Sequence, residues 1–486
     1  MPGTPPDCCR SCSGAGADGE RAIAENTDRS VRSLVLYEVY VRSHSPGGDF
    51  SGVTADLPRI RQMGVDVVWL MPIHPIGLKA RKGTLGSPYA IADYRAVNAE
   101  YGSAEDFATL VSRAHELGLR VMIDVVYNHT AADARLLQEH PAWYQQDATG
   151  RPVTTVPDWS DVIDLNYDEP ALWEYQIETL RRWVRAGVDG FRCDVASLVP
   201  VAFWEQARAA IASEKPDVLW LAESVHLSFV RARRRAGLRA HSDGELYRAF
   251  DITYDYDIWP QWAAAVADPD EVSRYLEILR FQDGIYPANY AKLRCVENHD
   301  QPRIMARTST NQALAWTALA AFNKGPFLIY AGQESAVLHT PSLFEREPVA
   351  WGDYALQPFL TRLAALKKEP ALSEGNLYWL AADPAVLGLW QAAGEGLLGL
   401  FNVAGRDGTL AVPLPDGHYE DLLAGDELQV RTHVREQPHA HRLLGRSRRD
   451  HRPRRASHDR PALRRRAAPA RRRRGSRERR AARWTH

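Results

Sequence analysis

From about Leu34 onward, short apolar and β-branched runs alternate with longer amphipathic stretches. Eight runs read as strands: 34–41, 65–70, 119–126, 188–194, 218–223, 250–253, 293–296 and 327–330. The intervening stretches carry helix signals. Segment 103–117 opens on Ser103 with Glu105 close behind and stops at Gly118; segment 170–186 opens on Pro170 and stops at Gly187. This βα rhythm predicts a parallel sheet, and eight units predict an α/β fold closed as a (β/α)8 barrel. After about Ser373 the pattern changes to short runs at 376–380, 386–391, 396–402 and 409–412, separated by Gly, Pro and Asp turns. That reads as a small antiparallel β domain. Beyond Val430 the apolar pattern dissolves into Arg, Ala and His. Such a segment buries too little surface to offset its ordering entropy, so disorder is expected.

The expected division is therefore a disordered leader (1–30), a catalytic barrel (31–372), a C-terminal β domain (373–430) and a basic tail (431–486). Within the barrel, the connection 130–166 after the third strand is long and rich in Pro, Trp and Asp. It reads as an inserted functional loop.

The formal net charge of −1 hides an asymmetry that supports this division. The tail holds 21 Arg against 4 acidic groups, a net of +17, which leaves −18 for the rest. Arg runs such as 471–474 invite a nucleic-acid reading, but there is no Lys, no stacking aromatic beyond Trp484 and no binding-fold motif. No nucleic-acid partner is expected. The β domain stops as though the reading frame changed near Thr432, so the tail reads as aberrant and the β domain as truncated. No apolar run is long enough to span a membrane, and the start lacks a secretory h-region. Among five cysteines, Cys8, Cys9 and Cys12 crowd the leader without a second cluster to complete a metal site, while Cys193 and Cys295 lie in strand-like runs. The chain reads as a reduced, cytoplasmic protein.

The candidate chemistry lies in where polar residues interrupt the strand ends. Asp124, Asn128 and His129 end or follow the third strand (DVVYNH). Arg192 and Asp194 end the fourth (GFRCDVA), Glu223 the fifth (LWLAES), and His299 and Asp300 follow the seventh (CVENHD). In a barrel of parallel strands these ends meet on one face, where active sites are built. Retaining glycoside cleavage needs a nucleophilic carboxylate and a second carboxyl roughly 5–5.5 Å away. Arg192, two residues before Asp194, shares its side of the strand and would keep it ionised. The apolar run of Leu219, Trp220 and Leu221 before Glu223 suits an acid held protonated. A third carboxylate, with His299, can hold sugar hydroxyls as positive charge develops.

These segments resemble the four best-known conserved regions of the α-amylase family (glycoside hydrolase family 13), in the family's order. Met71–Pro72, IDLNY at 163–167 and GPFLIYAGQE at 325–334 are similar to its lesser regions. The resemblance covers about residues 34–430. It implies a (β/α)8 barrel with a small insertion after strand three and a C-terminal β-sandwich. It also implies Asp194 as nucleophile, Glu223 as general acid/base and Asp300 as transition-state stabiliser, with Tyr89, Asp124, His129, Arg192 and His299 as substrate-binding positions. The implied substrate is an α-glucan or maltooligosaccharide, cleaved with no required cofactor.

Three departures bear on specificity. Where typical α-amylases carry Lys-His after the nucleophile, this chain has Ser197 and Leu198. Asn128 matches a calcium ligand without evident partners, which leaves a calcium role and a structural hydrogen-bonding role both open. NHDQPR (298–303) is similar to the version in oligosaccharide-acting α-glucosidases. Two alternatives accompany the hydrolase reading: a transglycosidase or isomerase of the trehalose-synthase kind, and a non-catalytic binding module. Trp143, Tyr144 and Trp159 are open both to sugar-platform and to packing roles.

Overall fold

The computed structural model describes residues 22–392, 395–408 and 410–430, and the backbone of 443–447. Eight parallel strands form one sheet in chain order: β1 (Val35–Val39), β2 (Val67–Leu70), β3 (Arg120–Val125), β4 (Gly190–Cys193), β5 (Leu219–Ala222), β6 (Ile252–Tyr254), β7 (Lys292–Leu293) and β8 (Phe327–Tyr330). β8 returns to pair with β1, Tyr37 opposite Ile329. A parallel bridge between Arg294 and Phe327 closes the ring between β7 and β8. The closure depends on a close backbone approach at Gly325 (φ 129°). A Cβ there would lie 1.9 Å from the Lys292 carbonyl oxygen.

Strands covered on both faces explain why the sequence shows continuous apolar runs rather than strict alternation; β1, β2, β4, β5 and β8 are buried throughout. Trp69, Trp204, Trp220 and Trp316 are fully buried, each contributing about 2–3 kcal/mol or more by leaving water. The flanking helices follow their sequence signals. Helix Ala104–Glu116 is capped by Ser103, and the return bond comes from Asp106 rather than Glu105, because only the third helical position faces back to the cap. Helix Pro170–Arg185 begins on its proline and is followed by Gly187 at φ 97°.

The segment after β3 is tied by a short antiparallel ribbon, with His129–Ala131 against Val162–Asp164. The last strands are β9 (Asn376–Ala381), β10 (Val386–Ala392), β11 (Glu395–Phe401), β12 (Gly417–Asp421), β13 (Glu427–Val430) and β14 (Leu443–Ser447). They form one antiparallel sheet in the order β9-β10-β11-β14-β12-β13. Phe322 docks this sheet on the barrel: its ring meets Trp379 and Phe401, and its carbonyl accepts from Trp390 Nε1 (2.7 Å).

Two expectations change here. No strand forms over 410–412, where Pro413 and Pro415 follow and cannot donate to a ladder; Leu410 and Val412 pack instead beside Leu387 and Leu398. The place beside β11 goes to β14, which lies within the stretch expected to be disordered. At the other end, residues 22–30 are held rather than loose. The Asn289 side chain accepts from Ala24 N and donates to the carbonyls of Ala24 and Thr27. Cys8, Cys9 and Cys12, the Thr432 junction, the Arg471–Arg474 run and Trp484 lie outside the described residues. Among the described residues no helix is long and apolar enough to cross a membrane.

Candidate active site

The C-terminal strand ends bring the expected residues to one mouth. Arg192, on β4, is completely buried and is its hub. Nη1 donates to both Asp124 oxygens and to Asp194 Oδ1, each at 2.9 Å. Nη2 lies 3.0 Å from Glu223 Oε2 as an ion pair that lacks hydrogen-bond alignment. Nε donates to Tyr254 Oη (3.2 Å), and the guanidinium sits 5.4–5.6 Å from the ring centres of Trp69, Tyr89 and Tyr254. This cage excludes water and fixes the guanidinium plane.

Immediately after Asp194 the chain turns sharply. Val195 adopts a left-handed conformation (φ 34°, ψ 44°), costly for a β-branched residue. The turn aims the Val195 amide at Glu223 Oε2, 2.6 Å away. Glu223 Oε1 takes part in neither contact.

Three carboxylates thus share one guanidinium in a buried setting, and their affinity for protons rises. Burial pushes Asp124 up to about 6 against the pull of Arg192. It lifts Asp194 to about 7, again opposed by Arg192, and Glu223 to about 7, opposed by Arg192 and then by the Val195 amide. Alignment decides where a proton rests. Both Asp124 oxygens accept from Arg192, so protonating it forfeits a bond. The straight N–H···O bond to Asp194 Oδ1 favours its ionised form, whereas Glu223 has only an unaligned contact with the guanidinium and leaves Oε1 outside it.

His299 and Asp300 complete the mouth. The His299 ring stacks on Tyr89 (5.5 Å between centres, 19° between planes). Its Nε2 lies 2.7 Å from Tyr89 Oη and 3.1 Å from Asp300 Oδ2. Its Nδ1 meets Glu38 on β1. Burial disfavours the charged ring, but Asp300 and Glu38 outweigh it and hold the imidazole well above its ordinary range. Asn298 braces this loop, accepting from Asp300 N and donating to Tyr256 Oη. Asp300 is the most open of the three carboxylates expected to act, its side chain 38% exposed. Beside it lies an open cleft of about 330 Å³, lined by His299–Arg303 and Leu338–Thr340.

Other expected residues divide. His129 is buried beside Trp159, ring centres 5.3 Å apart, and its burial lowers its proton affinity. Tyr144 is core, its hydroxyl accepting from Thr130 Oγ1, and Trp143 stacks on His140 and meets Tyr175 edge-on. Ser197 and Leu198 turn inward. Ser197 accepts from Val225 N and His241 N, and Leu198 packs on Val195 and Val230. Around Asn128 the neighbouring side chains are engaged with one another. Its amide lies 3.2 Å from His129 Nδ1, Asp164 is held by Thr154 and Thr155, and Asp161 pairs with Lys82. Among the described residues no three His, Cys, Asp or Glu side chains converge as metal ligands.

Sequence reasoning missed Glu38, Tyr254, Trp69 and the Val195 turn. Glu38 carried a signal, as the lone carboxylate inside the apolar run VLYEVYV; the turn at Val195 carried none.

The model of the α-amylase catalytic domain matches residues 16–149 and 139–351, and that of the bacterial α-amylase C-terminal domain matches 380–434. The crystal structure of an α-amylase from Lactobacillus plantarum superposes with a TM-score of 0.80 at 43% identity, covering 83% of this chain and 96% of that one. A maltogenic α-amylase from Thermotoga neapolitana gives 0.76 at 32% identity, covering 86% and 99%. An α-1,4-glucan:maltose-1-phosphate maltosyltransferase from Methylacidiphilum infernorum is 34% identical over 267 residues. That match covers 50% of this chain but only 37% of the relative. The chain belongs to the α-amylase family, glycoside hydrolase family 13.

Proposed function

We propose that the protein hydrolyses α-glucosidic bonds of α-glucans or maltooligosaccharides with retention of configuration. The observation that carries this reading is the unequal sharing of Arg192: one aligned bond to Asp194 Oδ1, an unaligned contact to Glu223. It leaves one carboxylate ionised to attack and the other free to hold a proton.

In the first step an Asp194 oxygen attacks the anomeric carbon, the glycosidic C–O bond breaks, and the leaving oxygen takes the proton from Glu223. In the second, Glu223 removes a proton from water, the water oxygen bonds to the anomeric carbon, and Asp194 leaves. Asp300 and His299 hold sugar hydroxyls, His129 and Asp124 border the same sugar, and Tyr89 offers its ring face. Arg192 orients and charges Asp194. The steps use side chains and water, with none routed through calcium. The free thiols of Cys193, buried beside Asp194, and Cys295 fit a reducing, cytoplasmic setting.

The test is trapping with 5-fluoro-α-D-glucosyl fluoride followed by peptide mass spectrometry. The adduct is expected on Asp194. Turnover of maltotriose with label on another residue, or with none, would overturn the assignment.

A transglycosidase reading draws on the maltosyltransferase relative and on the open cleft beside Asp300, which has room for an acceptor sugar. Products longer than the starting maltotriose would favour it; glucose and maltose alone would exclude it.

A further inference from the structure

Glu38 lies near the C-terminal end of β1, fully buried, 261 positions from the His299 it meets. Its Oε1 contacts His299 Nδ1, while its Oε2 is enclosed and has no hydrogen-bond partner. A buried carboxylate with one idle oxygen is an expensive way to pack a strand; an apolar residue would cost less. Its retention calls for a reason in what it does to His299.

We infer that Glu38 is a positioning residue that fixes His299 as a doubly protonated donor, with Nε2–H presented beside Asp300 at the sugar site. The inference rests on the proposed hydrolase for its kinetic consequence, but not for its structural one.

The geometry leaves the imidazole little freedom. Tyr89 covers one face, the edge of Trp69 approaches at 6.0 Å, and the two nitrogens point at carboxylates on opposite sides. Several groups bear on its charge. From β1 comes Glu38, from its own loop Asp300, and from the loop after β2 the Tyr89 hydroxyl, which also donates to Asp124 on β3 (3.3 Å). Arg192 opposes them from β4, and the hydroxyls of Tyr254 on β6 and Tyr330 on β8 sense Glu38. With Glu38 in place, both ring nitrogens are donors and Asp300 remains an acceptor. The pair then offers one donor and one acceptor to adjacent sugar hydroxyls. Without that negative charge, His299 reverts to a neutral ring that can present a bare nitrogen to Asp300, and the pair repels itself.

A conservative and a truncating variant test this. Glu38→Gln keeps shape and a hydrogen-bond acceptor but removes the charge; Glu38→Ala removes both. Histidine-labelled protein, with His299→Asn identifying the resonance, reports the protonation of His299 by NMR across pH. In Glu38→Gln the midpoint should fall by roughly one pH unit or more. On maltotriose kcat should drop by roughly 10–100-fold at pH 8 and far less at pH 6, with KM changed little. Glu38→Ala should show the same acid-shifted profile with a larger loss; melting curves confirm that each variant is folded. An unchanged His299 midpoint in folded Glu38→Gln would overturn the inference, as would an activity loss equal at all pH values. If the wild-type protein proves not to hydrolyse maltotriose, the proposed function fails while the His299 titration still decides the role of Glu38.

Discussion

Two buried ion networks lie within the same barrel and behave differently. At the mouth, Arg192 serves Asp124, Asp194 and Glu223, and all three carboxylates are pushed toward neutrality. Under β6 and β7, Lys292 pairs with Asp243 (2.6 Å) and Asp257 (3.1 Å), and Arg294 with Asp255 (2.7 Å). Here Gln282 and the Tyr286 hydroxyl supply further donors. Burial raises all three carboxylates: Asp243 and Asp255 stay above the ordinary value despite Lys292 and Arg294, and only at Asp257 do Lys292, Tyr286 and Gln282 more than reverse it. With two cations for three carboxylates the second network comes nearer to compensation than the first, where one guanidinium serves three. Compensation gives rigidity, and its absence gives reactivity.

The contrast fails at once if the two networks respond alike to mutation. Asp194→Ala should lower hydrolysis by roughly 10⁴-fold or more while the melting temperature holds or rises. Residual activity above about 1% would refute its role as nucleophile. Lys292→Met should do the reverse. Stranding Asp243 and Asp257 costs about 3–5 kcal/mol, read as a fall in denaturant midpoint, with turnover per folded molecule near normal.

Glu223→Gln separates two functions of one carboxyl. Ordinary glucans should lose roughly 10³-fold in rate and aryl or fluoride leaving groups far less, since only the former need protonation. Equal losses would remove Glu223 from that role. The same variant sharpens the stability side. A carboxyl raised to about 7 in the folded state, against about 4.3 when unfolded, binds protons more tightly when folded. Its destabilising effect is therefore absent below about pH 4, grows between pH 4 and 7 and is complete above. Glu223→Gln should raise the melting temperature by a few degrees at pH 8 and by almost nothing at pH 4.

Most of the barrel and most of the mouth were legible in the sequence, for the same reason. Strand ends announce themselves where an apolar run meets Asp, Arg or Glu, as at Asp124, Arg192 and Glu223. Glu38 stood out locally as the lone carboxylate of an apolar run, but its role was not legible because the partner that explains it lies 261 positions away. The Val195 turn was invisible because β-branched residues disfavour it, so the local preference points the wrong way. β14 was missed because its neighbourhood in sequence is overwhelmingly basic, whereas its backbone pairs with strands supplied from elsewhere in the chain.

The shared Arg192 guanidinium also makes the mouth a proton reservoir. With three carboxylates and one guanidinium beneath aromatic rings, proton affinities lifted to about 6 and 7 mean that the resting mouth should hold part of a proton at neutral pH. A sugar that expels the remaining water removes the medium that let the surplus charge persist, so the complex should draw in a further fraction of a proton. The heat of binding to an inactive variant such as Asp300→Asn would then scale with the ionisation enthalpy of the buffer, and the slope would count those protons. On this view the acid needed for bond cleavage is recruited by substrate binding itself, before any bond has moved.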